Sequence, residues 1–188
     1  MILTYSQIFK LPYFQIDFPS LQKKVSEQIT IREGLSKREK YETLFPQIKA
    51  LVEGEEDLIA NSANIVSALK EAFSFFWIGI YFVKNKNGKE ELVLGPFQGP
   101  PACVRIAKGK GVCGSAWLKK EAIIVPDVNL FPGHIACSAL TQSEIVIPII
   151  LNNIVSGVLD VDSTALNDFD TVDEKHLTEI AGLISKML

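Results

Sequence analysis

Residues 144–163 read Glu144-Ile145-Val146-Ile147-Pro148-Ile149-Ile150-Leu151-Asn152-Asn153-Ile154-Val155-Ser156-Gly157-Val158-Leu159-Asp160-Val161-Asp162-Ser163. Two β-branched apolar runs flank an Asn-Asn pair, and asparagine tolerates the left-handed backbone of a tight turn. The stretch predicts strands over residues 144–151 and 155–162, joined as a hairpin. Side chains alternate along a strand, so Asp160 and Asp162 share one face, about 7 Å apart. If the Asn pair closes the hairpin, Glu144 returns beside them.

Working outward, residues 75–83 are aromatic and β-branched, Asn87-Gly88 is a turn signal, and residues 91–97 read as the returning strand. Residues 104–106 and 123–125 are further strand candidates, separated by glycine-rich or irregular loops at residues 99–101, 109–111 and 126–143. The flanks are helical in period. Ser36 to Glu39 fits a capping box ahead of Tyr41, Leu44, Phe45, Ile48 and Leu51, with Gly54 as the stop and a kink or restart expected at Pro46. A second helix is predicted over residues 57–73. A last one follows a capping box at Thr171 to Glu174 and carries Leu177, Ile180, Ile184 and Leu188. Leu21, Val25 and Ile29 could line a further short helix, and residues 1–19, with Pro12 and Pro19, look like an irregular arm. Helices at both ends around antiparallel strands give an α+β domain, its sheet covered on one face by the terminal helices.

The 188 residues suit one compact domain with an appendage. Apolar residues make up 47% and charged ones 22%, which excludes collagen, coiled coil and wholesale disorder. With 19 Lys and Arg against 22 Asp and Glu, the net charge of −3 argues against nucleic acid as a partner. No run approaches the roughly 20 apolar residues of a membrane span. The first residues lack the basic start of a secretory signal, and three cysteines do not suggest a disulfide framework. A reducing, cytoplasmic setting is expected.

Cys103, Cys113 and Cys137 have neither C-x-x-C nor paired zinc spacing, and His134 with Cys137 gives only two donors on one loop, so no metal site is predicted. All three fall in or beside loops, where functional groups concentrate, although free thiols often pack simply as small hydrophobes. Asp160 and Asp162 on one face repel each other unless a cation, a proton or water accommodates them. With Glu144 they could bind an ammonium or keep one carboxyl protonated as an acid; the alternative is a solvated strand end. Trp77 and Tyr81, four apart in the first strand, are either core or the wall of a site for a methyl- or sulfur-bearing ligand. Gly109-Lys110-Gly111 has no phosphate-loop spacing, and no serine has a nucleophile-elbow signature.

In order along the chain stand Gly95-Pro96-Phe97-Gln98-Gly99, Pro101-Ala102-Cys103-Val104-Arg105-Ile106, Gly111-Val112-Cys113-Gly114, Gly133-His134-Ile135-Ala136-Cys137, Ser143-Glu144-Ile145-Val146 and Gly157-Val158-Leu159-Asp160-Val161-Asp162-Ser163. This set resembles the free methionine-R-sulfoxide reductases, single-domain enzymes of the GAF fold. The resemblance begins near Tyr41, which divides the chain into an extension, residues 1–40, and a GAF domain, residues 41–188. It implies reduction of free methionine R-sulfoxide, with no bound cofactor and with recycling by thioredoxin, ultimately from NADPH. It implies Cys137 as the attacking thiol and Cys103 as the resolving one, with Cys113 able to join the relay or to be the nucleophile itself. It also implies Glu144 as proton donor, Asp160 and Asp162 as partners of the substrate ammonium, and Trp77 and Tyr81 as the wall at its methyl group. A homodimer is compatible with it. The loop Ser138-Ala139-Leu140-Thr141-Gln142 departs from the family, which commonly has an acidic residue directly after the cysteine. The competing reading is a GAF-type sensor that binds a small ligand without chemistry. No kinase, cyclase or DNA-binding segment is evident in the chain to receive its signal.

Overall fold

The computed structural model describes residues 29–135 and 138–188, and Ser36 begins the first helix among them. The expected arm over residues 1–19, most of the expected helix through Leu21 and Val25, and Cys137 lie outside the described residues. In α1, Lys37–Val52, the Ser36 hydroxyl accepts from the Glu39 amide while the Glu39 carboxylate accepts from the Ser36 amide, so two donors that the first turn leaves open are satisfied. Tyr41, Leu44, Ile48 and Val52 recur at helical spacing and are buried. The helix runs through Pro46 without a restart, because losing one backbone donor is outweighed by the buried stripe on either side. Helix α2, Leu58–Phe73, is capped by Asp57, whose carboxylate accepts from the Ala60 amide at 2.7 Å.

The strands are β1, Trp77–Lys86; β2, Lys89–Gln98; β3, Arg105–Ile106; β4, Ile123–Val125; β5, Ser143–Leu151; and β6, Ile154–Ser163. They form one antiparallel sheet in the order β3-β2-β1-β6-β5-β4. Both expected hairpin turns are present, with positive φ at Asn87 and Gly88 and at Asn152 and Asn153. β1 starts two residues later than its sequence suggests. The Lys70 ammonium donates to the carbonyls of Phe75 and Phe76, which are thereby turned away from the ladder.

Alternation sorts the sheet into two faces. Ile78, Ile80 and Phe82 of β1, Ile145, Ile147 and Ile149 of β5, and Leu159 and Val161 of β6 point to one side. There they pack against Leu44 and Ile48 of α1, Ile65 and Leu69 of α2, and Leu177, Ile180 and Ile184 of α4, Thr171–Ser185. The cap of α4 is Asp170 rather than Thr171, with Asp173 completing its capping box. The buried Asp173 carboxylate also accepts from Tyr41 Oη at 2.9 Å and from Lys37 Nζ at 2.5 Å, tying α4 to α1. Ile80→Ala, at a site with 0% exposure, is expected to cost about 2–5 kcal/mol in denaturant unfolding, while a loss under 1 kcal/mol would mean that this core is looser than its burial indicates.

The opposite face is covered too, which alternation alone does not predict. Residues 111–119 form a helix, α3, Gly111–Lys119, where the sequence reading has a loop at residues 109–111 and assigns no element before the strand at residue 123. Gly111 and Gly114 lower its intrinsic propensity, but Gly114 has to be small, since a Cβ there would stand 2.4 Å from the Ala107 carbonyl. Tertiary burial of Val112, Cys113, Ala116 and Trp117 holds the helix instead. Cys113 consequently lies on a helix face and not on a loop. No helix among the described residues is long and apolar enough to cross a membrane.

Candidate active site

The second face of the sheet carries the polar residues, and strand register decides which of them meet. Asp162 lies opposite Trp77 on one side and Glu144 on the other; Asp160 lies between Gly79 and Val146. Pairing straight back from the Asn152-Asn153 turn would put Glu144 opposite Val161. A bulge at Ile149/Ile150 shifts the ladder by one residue and brings Glu144 opposite Asp162. Three carboxyl groups thus share one patch of sheet.

Beside them stands an aromatic wall. Trp77 stacks on Phe97 with centroids 5.6 Å apart and on Tyr81 at 6.1 Å. The indole lies across Gly79, where a Cβ would be 2.3 Å from its Cη2 atom. Trp77 Nε1 donates to the Pro100 carbonyl at 3.0 Å, and Tyr81 Oη donates to the Cys103 carbonyl at 3.0 Å. The wall therefore also fixes the loop before β3, which places Cys103 at the edge of the site.

Trp77, Tyr81, Glu144, Asp160 and Asp162 line a pocket of about 560 Å³, counted out to its mouth, together with Phe76, Pro100, Pro101 and Cys113. His134 enters from the far loop, its Nε2 3.6 Å from Glu144 Oε2, beyond direct hydrogen-bond length. Cys103 is held in a disulfide, whereas Cys113 is a buried free thiol. The structure thus brings together Trp77, Tyr81, Cys113, Glu144, Asp160 and Asp162 and puts Cys103 next to them; Cys137 is outside the described residues. Sequence reasoning misses Phe76 and the Pro100-Pro101 pair as site residues, although Pro101 falls within the family motifs. It weighs His134 only as a metal donor with Cys137 and sets that pair aside, because nothing in the linear order shows that His134 faces Glu144.

Burial, and then mutual repulsion, govern the charges. Desolvation first and the Asp160 charge second push the Asp162 carboxyl up to about 9. Burial raises Asp160 well above the carboxylate range, with Glu144 adding to it, and burial followed by the Asp162 charge does the same to Glu144. Burial, then the Asp160 and Glu144 charges, pushes the Cys113 thiol up, so this cysteine is a poor thiolate source. Desolvation lowers His134. The cluster accordingly retains protons at neutral pH where isolated acids would have lost them.

That has a consequence for stability. The folded chain holds protons that the unfolded chain has released, so stability contributed by Asp162 falls as pH climbs from the ordinary aspartate range, near 3.8, toward about 9. Asp162→Asn is expected to raise the thermal midpoint at pH 8 relative to the parent and to shrink that advantage at pH 5. An equal shift at both pH values in calorimetry would show that the carboxyl is not held protonated.

Sheet order, helix placement and a pocket on the sheet face opposite the long helices define a GAF domain, and the GAF domain family matches residues 53–188. "GAF domain-containing protein A" of Dictyostelium discoideum is 56% identical over 160 residues, covering 85% of this chain and 99% of that protein. The free methionine-R-sulfoxide reductase of Escherichia coli is 41% identical over 155 residues, covering 82% and 92%. The crystal structure of free methionine-R-sulfoxide reductase from Neisseria meningitidis in complex with its substrate matches with a TM-score of 0.80 and 44% identity, over 85% of this chain and 95% of that one. The chain belongs to the free methionine-R-sulfoxide reductase family.

Proposed function

We propose that this protein reduces the R epimer of free methionine sulfoxide to methionine. The observation that carries the reading is a buried group of three carboxyls beside an aromatic wall, with a disulfide-bonded cysteine tethered to that wall. An amino acid's ammonium complements the Asp160 and Asp162 carboxyls: as it enters, its charge favours their ionised forms and takes the place of the protons they held, while Glu144 keeps its own. A peptide-bound methionine offers an amide there and leaves buried acids without a counter-charge. The sulfoxide's methyl packs on Trp77 and Tyr81.

In the proposed reaction the Cys137 thiolate attacks the sulfoxide sulfur while Glu144 passes a proton to the oxygen. In the adduct the hydroxyl passes from the substrate sulfur to the Cys137 sulfur as the S–O bond and the bond between the two sulfurs break; methionine leaves with the electron pair on its sulfur, and Cys137 becomes a sulfenic acid. The Cys103 thiol then attacks that sulfur, water departs and a Cys103–Cys137 disulfide forms. Thioredoxin reduces it by thiol–disulfide exchange, drawing finally on NADPH. The raised Cys113 thiol disfavours the alternative in which Cys113 attacks. No cofactor is needed within the chain. We further assign a cytoplasmic setting, where such a disulfide can be recycled.

A thioredoxin-coupled assay that follows NADPH separates the outcomes. Turnover with the R epimer and none with the S epimer is expected; no consumption with either would remove the reductase reading and leave the ligand-binding one, and equal rates would overturn the selection of the R epimer.

A further inference from the structure

Cys113, Glu144 and Asp160 come from α3, β5 and β6, and one potential donor atom from each lies within 4.8 Å of the other two, with all three side chains buried. A tetrahedral zinc ion, with sulfur at about 2.3 Å and oxygen at about 2.0 Å, sets neighbouring donors roughly 3.3–3.5 Å apart. A contraction of at most about 1.5 Å closes the triad on such an ion. A second observation points to a ligand. Asp160 is 7% exposed and lines the pocket, yet its Oδ1 has no hydrogen-bond partner among the described residues. His134 supplies a nitrogen on the same side, 3.6 Å from Glu144. The linear spacing of the cysteines gives no hint of this set, because its members are brought together by three separate elements.

We propose that in the disulfide form of the chain Cys113, Glu144 and Asp160 bind a thiophilic divalent ion of the zinc type, with His134 or water in the fourth position. The Cys113 thiol and the carboxyls give their protons to solvent as the ion binds, and no oxidation or reduction takes place. Thiolate in the set selects zinc-like ions over magnesium or calcium, whose ligands are oxygens. The ion and the substrate ammonium compete for the same carboxyls, so the metal acts as a reversible inhibitor; this last step rests on the function proposed above.

The test is a Co²⁺ titration of the full oxidised chain without added thiols. Because Cys103 is in a disulfide and Cys113 is free, a thiolate-to-cobalt absorption band reports the proposed site. The expected result is a band that saturates at one equivalent, is bleached by Zn²⁺ and disappears in Cys113→Ser. Asp160→Asn should weaken binding by more than about tenfold with circular dichroism unchanged, and it carries the test if the serine variant does not fold. Absence of a band at millimolar Co²⁺, or a band that survives Cys113→Ser, overturns the proposal. Turnover of the reduced chain under chelator is measured separately. Turnover without a band removes only the metal site, and a band without turnover removes only the reductase reading.

Discussion

Serine in place of Cys137 abolishes turnover, with kcat reduced by about 10⁴-fold or more, the scale seen when a covalent nucleophile is removed from an enzyme. A serine hydroxyl is not ionised at neutral pH and cannot form the sulfenic acid through which the oxygen leaves. Cys113→Ser is the control that gives this result its meaning. Cys113 sits among carboxyls that push its thiol up, so it is badly placed to supply a thiolate. Trapping the sulfenic acid in single-cysteine variants by mass spectrometry reads the assignment directly. Label at residue 137 is the expected outcome, and label at residue 113 would reverse the two roles.

Glutamine in place of Glu144 lowers kcat by about 10²–10⁴-fold, the usual contribution of a positioned general acid. The substitution keeps the shape of the side chain and removes its proton. The burial that raises the carboxyl above its ordinary range lets it stay protonated at neutral pH. Activity that depends on this acid declines as pH rises through the raised value, and Glu144→Gln flattens that alkaline limb. A variant that keeps the parent pH profile and loses less than tenfold in rate would show that Glu144 only shapes the pocket. His134 offers no substitute, since desolvation keeps its imidazole neutral.

Much of this site is legible in the chain because it lies on a hairpin. The alternation in residues 155–162 puts Asp160 and Asp162 on one face, and the Asn152-Asn153 turn brings Glu144 back toward them. The same period separates Trp77 and Tyr81 from the Ile78-Ile80-Phe82 face that packs on the helices. What the sequence conceals are the features decided by tertiary contact. The bulge at Ile149/Ile150 depends on how β5 and β6 pack and leaves no mark in the polarity pattern, yet it determines that Glu144 faces Asp162 and not Val161. Helix α3 is hidden by its glycines, and with it the burial of Cys113 against the acids. The position of His134 depends on a loop whose course no periodicity encodes.

The proposed chemistry depends most on the acidic cluster being the seat of a free amino acid's ammonium. Its most direct test compares kcat/KM for free L-methionine R-sulfoxide with that for the N-acetylated R-sulfoxide, which has the same sulfur and no positive charge. Leaving one member of a buried ion pair unmatched costs about 3–5 kcal/mol, so a drop of roughly 10²- to 10³-fold or more is expected. Equal kcat/KM for the two compounds would show that Asp160 and Asp162 do not recognise the ammonium, and that charge matching does not select the free amino acid.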